Sequence, residues 1–161
     1  MSALAREDDD PTSEPTRLPP PRARARGIGG SAADRRAGVV LIVDDSIDAR
    51  EMYSLYLRHC GFRTYTSPDG SAAIDMALEY RPDVVVMDLA MPYVDGITAI
   101  RRLKMHPRTR RIPVILLTGY PSKAIQQGAL EAGADVFLTK PCLPEDLERY
   151  VVQLTERQRP G

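Results

Sequence analysis

Short apolar runs alternate along this chain with longer segments in which apolar residues recur at helical spacing. The runs at 39–43, 83–88 and 112–118 are rich in β-branched residues and lack polar alternation, which is typical of strands buried on both faces. Shorter runs at 62–66 and 134–139 predict two further strands. A helical segment follows each strand, so the pattern predicts five strand–helix units.

The helical segments have recognisable ends. Gly61 and Gly133 are placed where a left-handed residue would end a helix, and Pro144 is placed to begin the last one. The strict alternation of strands and helices predicts an α/β domain with a doubly wound five-stranded parallel sheet and helices on both faces. The expected strand order is the flavodoxin-like 2-1-3-4-5.

The first part of the chain differs in composition from the rest. Residues 1–36 are rich in Pro, Arg and Ser and contain few large apolar side chains, so they cannot bury enough surface to offset their chain entropy. We predict a disordered tail over 1–36, a folded domain over 37–158 and a short tail over 159–161. An alternative for the proline and arginine stretch at 19–26 is docking on an anionic surface or an aromatic groove.

Charge and cysteine content argue against several classes of protein. The 22 basic residues balance the 22 acidic ones, so no global preference for nucleic acid or membrane is expected. The apolar runs are far shorter than the ~18 residues of a membrane span, and the N-terminus lacks the apolar core of a secretory signal. We therefore expect a cytoplasmic protein. Cys60 and Cys142 lack metal-ligand spacing and are interpreted as reduced packing residues.

Four of the five predicted strands end on side chains that are able to take part in chemistry. They are Asp44 and Asp45, Asp88, Thr118 and Lys140. In the expected strand order the first and third strands are neighbours at the switch point, so Asp44, Asp45 and Asp88 converge. Taken alone, Asp88 is equally well explained as a residue that caps a turn.

The predicted cluster of carboxylates requires a positive charge. Two carboxylates about 4 to 5 Å apart repel by roughly 3 to 4 kcal/mol at an effective dielectric constant near 20. A few hard oxygen ligands with room for water favour Mg2+ over Ca2+, and Lys140 is placed to balance the remaining charge. A bound flavin or nucleotide is not expected, because the turn at 43–46 lacks glycine and its two acids would repel phosphate.

Taken together, these motifs resemble the receiver domains of two-component response regulators. The resemblance covers about residues 39–154. It rests on the acidic pair at 44–45, the sequence DLAMP at 88–92 with Gly96 beyond it, TG at 118–119 and KP at 140–141. It implies that Asp88 is phosphorylated by a sensor histidine kinase or a histidine phosphotransfer protein.

The resemblance also implies a role for each of the other motif residues. Asp44, Asp45, Asp88 and the backbone carbonyl of Ala90 would hold Mg2+, and the Lys140 ammonium would pair with the phosphoryl group. Thr118 would donate its hydroxyl to a phosphoryl oxygen and, by moving, leave space that Phe137 occupies in a switch. Phe137 lacks the hydroxyl of the tyrosine found in many relatives, so a softer switch is expected.

The residues around the acceptor bear on how long a phosphoryl group would last. Ala90 and Tyr120 occupy the positions, two after the acceptor and two after the threonine, that influence hydrolysis in the family. Neither side chain is an acid or an amide that orients water, so slow loss of the phosphoryl group is expected.

The expected function is phosphoacceptor signalling by protein contact, without a fused output domain. The contact surface would be the fourth helix, fifth strand and fifth helix, binding an unknown downstream partner as a monomer or a phosphorylation-dependent dimer. The chain is not expected to be a turnover enzyme, because a phosphatase using an aspartyl phosphate would need a second acid where Ala90 stands.

Several alternatives to this function stay open. Within the family they are a phosphorelay intermediate or phosphate sink, and a receiver-like binding module that is not phosphorylated. Nucleic-acid binding is not favoured, because no aromatic residues interleave the basic loop at 108–111.

Overall fold

The computed structural model describes residues 38–158, in which strands and helices alternate along the chain. In chain order the elements are β1 (Val39–Val43), α1 (Ile47–His59), β2 (Arg63–Ser67), α2 (Gly70–Tyr80), β3 (Val84–Asp88), α3 (Gly96–Met105), β4 (Val114–Thr118), α4 (Lys123–Ala132), β5 (Val136–Thr139) and α5 (Pro144–Arg157). The tails predicted at 1–36 and 159–161 lie outside the described residues.

The strands form one parallel sheet in the order β2-β1-β3-β4-β5, as predicted. In its register Val43 is opposite Met87, Asp88 is opposite Leu117, and Thr118 is opposite Thr139. Because the strands are parallel, the residues that follow β1, β3, β4 and β5 all lie at one edge of the sheet. The strand order reverses between β1 and β3, so this edge contains the switch point.

Apolar side chains on the two faces of the sheet form two core clusters. One cluster joins Leu41 and Leu116 to α2, α3 and α4, and the other joins Ile42 and Ile115 to α1 and α5. β3 and β4 are buried at every position, which explains why their sequences show no polar alternation. The inward stripe of α5, Leu147, Val151 and Leu154, is buried.

Two strands begin two residues later than the sequence pattern predicts. The predicted runs begin at 112 and 134, whereas β4 begins at Val114 and β5 at Val136. Before β4, the Ile112 amide donates to the Thr109 carbonyl and Pro113 has no amide, and before β5 the Ala134 amide donates to the Ala129 carbonyl. The Asp135 carboxylate also accepts the Val114 amide at 2.8 Å and binds the Lys104 ammonium at 3.1 Å. A side chain thus occupies the place of a regular strand pairing, and the apolar pattern does not reveal it. Across residues 38–158, every helix is too short or too polar to span a bilayer.

Candidate functional site

Three carboxylates meet at the carboxyl edge of the sheet, where β1 and β3 end. One oxygen from each of Asp44, Asp45 and Asp88 lies within 4.8 Å of the others. The Asp44 and Asp88 residues are 2% and 5% exposed, whereas Asp45 is open to solvent. The structure therefore brings together the three acids that the sequence predicted to converge, and their individual roles stay predictions.

The loop between β1 and α1 fixes the orientation of Asp44. Its backbone amide donates to the Ser67 carbonyl at 3.1 Å, and its Oδ1 accepts the Ser46 amide at 2.9 Å. Ser46 in turn caps α1, because its hydroxyl accepts the Ala49 amide. With Oδ1 held by the backbone, Oδ2 of Asp44 is directed at the β5 side of the site.

Gly96 allows the loop after β3 to fold back against Asp88. The Leu89 carbonyl accepts the amides of Met91 and Gly96, at 3.2 and 2.9 Å. A Cβ atom at residue 96 would collide with the Asp88 carbonyl oxygen and would lie 2.9 Å from the Leu89 Cα atom. A glycine is therefore required for this close approach of two backbones. Ala90 lies in the same loop and is exposed.

Lys140 supplies the positive charge of the site from the turn after β5. Its Nζ donates to Asp44 Oδ2 at 2.9 Å and lies 3.2 Å from Asp88 Oδ1. Its backbone amide donates to the Thr118 carbonyl at 2.8 Å, which fixes where the side chain begins. Burial disfavours the charged ammonium, but the hydrogen bond to Asp44 and the charges of Asp88 and Asp44 outweigh burial and raise the pKa of Lys140.

For Asp88, in contrast to Lys140, the effects that disfavour the charged form outweigh those that favour it. Burial and the nearby charge of Asp44 raise the pKa of Asp88, and Lys140 only partly offsets them. One ammonium faces three carboxylates, so the site keeps an excess of negative charge. The three side chains offer only oxygen ligands, and the exposed Asp45 leaves the cluster open to water. Both features fit Mg2+.

Thr118 and Phe137 lie outside the acidic cluster. Thr118 is 1% exposed at the end of β4, and its hydroxyl oxygen accepts the Tyr120 amide at 3.0 Å. The hydroxyl proton therefore stays available for donation. Phe137 pairs in register with Leu116 and packs, half-buried, on the core cluster beneath α3 and α4. Their predicted switch roles stay predictions.

Two residues of α1 contact the site loops and were not singled out by the sequence patterns. The Arg50 guanidinium donates to the Asp44 carbonyl at 2.7 Å, and the Tyr53 hydroxyl donates to the Cys142 carbonyl at 2.8 Å. Their position in the sequence could have indicated these contacts. α1 begins directly after the Asp44 loop, and a long side chain in its first or second turn can reach back to the site.

A doubly wound α/β domain with an acidic cluster and a lysine at its switch point is the architecture of a receiver module. The family model of the response regulator receiver domain matches residues 40–152. The chain belongs to this family, and the predicted resemblance is confirmed. Receiver domains bind Mg2+ at their acidic cluster and interact with histidine kinases or phosphotransfer proteins.

Individual relatives agree with this assignment. The phosphate regulon transcriptional regulatory protein PhoB of Escherichia coli K12 is 33% identical over 121 residues, which are 75% of this chain and 53% of PhoB. The chain thus spans about half the length of this curated relative.

Solved structures of receiver domains are similar to the fold. The receiver domain of a signal transduction histidine kinase from Syntrophus aciditrophicus has a TM-score of 0.72 and 37% identity, covering 78% of this chain and 95% of that one. The receiver domain of the sensor histidine kinase PA1611 from Pseudomonas aeruginosa PAO1 has a TM-score of 0.69 and 28% identity, covering 74% and 98%. The PA1611 structure has a magnesium ion coordinated in its active site cleft.

Proposed function

We propose that this protein is a phosphoacceptor signalling protein in which Asp88 receives a phosphoryl group from a phosphohistidine of a sensor histidine kinase or phosphotransfer protein. The observation that supports this most strongly is the contact of the buried Asp88 carboxylate with Lys140 Nζ, 3.2 Å away and beside two further acids. Membership of the receiver family supports the class of partner.

In the proposed reaction an oxygen of Asp88 attacks the phosphorus of phosphohistidine. A new P–O bond forms while the P–N bond breaks, and the bonding pair stays on the imidazole nitrogen. Asp88 is activated by its position beside Lys140 and the metal ligands rather than by a general base. Lys140 pairs with one phosphoryl oxygen and Thr118 donates its hydroxyl to another, so both stabilise the negative charge of the product.

The acidic residues have a second role as metal ligands. Asp44, Asp45 and Asp88, with the backbone carbonyl of Ala90, would hold Mg2+, which when bound neutralises charge on the phosphoryl oxygens. Asp44 is already oriented by the Ser46 amide, so this ligand is placed in advance. Lys140 keeps the buried acids compatible with folding until a cation arrives.

We further propose that phosphorylation is transmitted by protein contact through α4, β5 and α5. β5 is an edge strand whose four residues are half-buried or exposed, so its outer side is accessible to a partner. A phosphorelay intermediate is the second candidate, supported by the absence of an acid or amide at exposed Ala90 and Tyr120. A cytoplasmic location and the lack of turnover on an external substrate stay predictions.

Intact-mass measurement after incubation with a small-molecule phosphodonor tests the proposed function. The wild type is expected to gain one phosphoryl group with Mg2+ and little without it, and Asp88→Asn is expected to gain none. Asp95→Asn is the matched control, because Asp95 caps α3 at an exposed position and Asn also caps helices. Equal modification of wild type and Asp88→Asn would contradict the proposal.

A further inference from the structure

A buried tyrosine ties α1 to the turn that contains Lys140. Tyr53 is 4% exposed, its ring packs in the core cluster beneath α1 and α5, and its hydroxyl donates to the Cys142 carbonyl at 2.8 Å. The two residues are 89 positions apart in sequence. A rigid ring fixed by packing therefore holds a backbone oxygen two residues after Lys140.

The turn at 140–143 is anchored by the backbone at its two ends, and at its far end the Leu143 carbonyl accepts the amides of Asp146 and Leu147. Between these ends Pro141 has no amide to donate, and Leu143, at the capping position before α5, makes no side-chain capping bond. Before the turn, Lys140 is fixed by its amide bond to the Thr118 carbonyl. The Tyr53 hydroxyl supplies a fixed point inside the turn, at the Cys142 carbonyl.

The same helix also holds the opposite side of the site. Arg50, three positions before Tyr53 and on the same side of α1, donates to the Asp44 carbonyl at 2.7 Å. α1 thus contacts both loops whose side chains form the Lys140–Asp44 pair. Together with the sheet, this one rigid element fixes the distance between the two loops, and with it the reach required of the lysine.

We propose that Tyr53 is a positioning residue, whose hydroxyl holds the turn at 140–142 so that the Lys140 ammonium lies between Asp44 and Asp88. The consequence for phosphorylation rests on the proposed function, whereas the placement of Lys140 does not. Without the hydroxyl, the Cys142 carbonyl loses its donor and the turn moves more freely. A four-carbon side chain attached to a mobile backbone spends less time between the two acids.

The placement of Lys140 is tested by NMR of the lysine Cε groups. The chain has three lysines, at 104, 123 and 140, so the spectrum is simple, and Lys140→Met identifies the Lys140 signal by its loss. In Tyr53→Phe that signal is expected to move toward the position of a solvated lysine. Tyr80→Phe is the matched control, since it removes the same atom from α2 on the opposite face of the sheet, and should leave the signal in place.

The effect on chemistry is tested by a double-mutant cycle on the rate of phosphorylation by a small-molecule phosphodonor. Tyr53→Phe is expected to slow the reaction about tenfold at saturating Mg2+, and Tyr80→Phe to leave it unchanged. In a Lys140→Met background Tyr53→Phe should cause no further loss, because its effect passes through the lysine. A role confined to stability would instead give the same fold-change in both backgrounds.

The two tests separate this inference from the proposed function. If the wild type gains no phosphoryl group, the proposed function fails, and the lysine spectrum alone decides the role of Tyr53. An unchanged Lys140 signal in Tyr53→Phe would overturn the inference whatever the phosphorylation result. Thermal unfolding of both tyrosine variants establishes that each is folded during the measurements.

Discussion

Asp88 combines burial with a negative charge, and most of the electrostatics of the site follow from that combination. The sequence predicted that Asp88 meets Asp44 and Asp45, because strand ends in a parallel sheet share an edge. The apolar pattern could not show that the Lys140 ammonium lies closer to Asp44, at 2.9 Å, than to Asp88, at 3.2 Å. That preference depends on the Ser46 amide, which holds one Asp44 oxygen and leaves the other for the lysine.

The raised pKa of Asp88 predicts that stability depends on pH. Its pKa in the folded protein lies above the ordinary value of 3.8, so as pH rises the unfolded chain releases this proton first. Stability therefore falls between 3.8 and the folded pKa, and the loss persists at neutral pH. We expect Asp88→Asn, in chelator, to raise the Tm at pH 7 and to raise it less as pH approaches 3.8.

Asp95→Asn provides a control of opposite sign. Burial would raise the pKa of Asp95, but hydrogen bonds from the Thr98 amide and hydroxyl outweigh it and lower the pKa. The charged form of Asp95 thus adds stability above the ordinary pKa, and Asp95→Asn should not raise the Tm at pH 7. If Asp88→Asn lowers the Tm at pH 7, burial is not the dominant effect on Asp88.

Ala90 and Tyr120 predict a long-lived phosphoryl group. Both are exposed beside the site, and neither offers an acid or amide to orient an attacking water. We expect the phosphorylated protein, freed of donor, to lose its phosphoryl group over minutes to hours by intact mass. Ala90→Asn, which supplies an amide, should shorten this lifetime several-fold. A half-life of seconds in the wild type would contradict the prediction.

At the scale of elements, capping residues made helix boundaries predictable, whereas β4 and β5 begin later than predicted. Gly133 ends α4 and Pro144 begins α5, at the positions that capping chemistry predicted. The start of β4 at Val114 follows Pro113, which has no amide to donate. The bond from the Val114 amide to Asp135, across 21 positions of sequence, was not predictable. Gly96 was recognised as part of a motif. The reason that a glycine is needed there, its close approach to the backbone of Asp88, became visible only in the fold.

Gly96 and Gly128 predict opposite effects of the same substitution. Gly96→Ala places a methyl group against the Asp88 carbonyl and the Leu89 Cα, so the loop must move, and we expect a loss of more than about 2 kcal/mol in the free energy of unfolding. Gly128 lies inside α4, where the nearest atom to an added Cβ is Ile97 Cδ1 at 3.6 Å. Gly128→Ala should therefore stabilise by about 0.5 to 1 kcal/mol.

Denaturant unfolding of the two glycine variants and the wild type measures these changes in the free energy of unfolding. Gly96→Ala is also expected to slow phosphorylation, because the loop that it displaces directly follows Asp88, the proposed acceptor. Gly128→Ala lies away from that loop and should not change the rate. Equal stability of the two variants would show that the loop after β3 has another conformation that relieves the contact.

At the scale of the whole molecule, strand order decides which residues meet. Alternating strands and helices were enough to predict the sheet and its reactive edge. The approach of Lys140 to Asp44, across 96 positions, follows from the shared edge of the strand ends that the sequence predicted. The bond from Tyr53 to Cys142, across 89 positions, was not predictable, because it depends on how α1 packs. The division into tails and domain, the oligomeric state and the identity of the partners stay predictions.

In the proposed reaction Asp88 alone accepts the phosphoryl group, and Asp44 and Asp45 only bind Mg2+. Borohydride reduction of the phosphorylated protein converts an aspartyl phosphate to homoserine, and peptide mass spectrometry then locates the modified residue. We expect homoserine at position 88 alone, and none after phosphorylation in chelator. Homoserine at Asp44 or Asp45, or modification that is the same without Mg2+, would contradict the roles proposed for these residues.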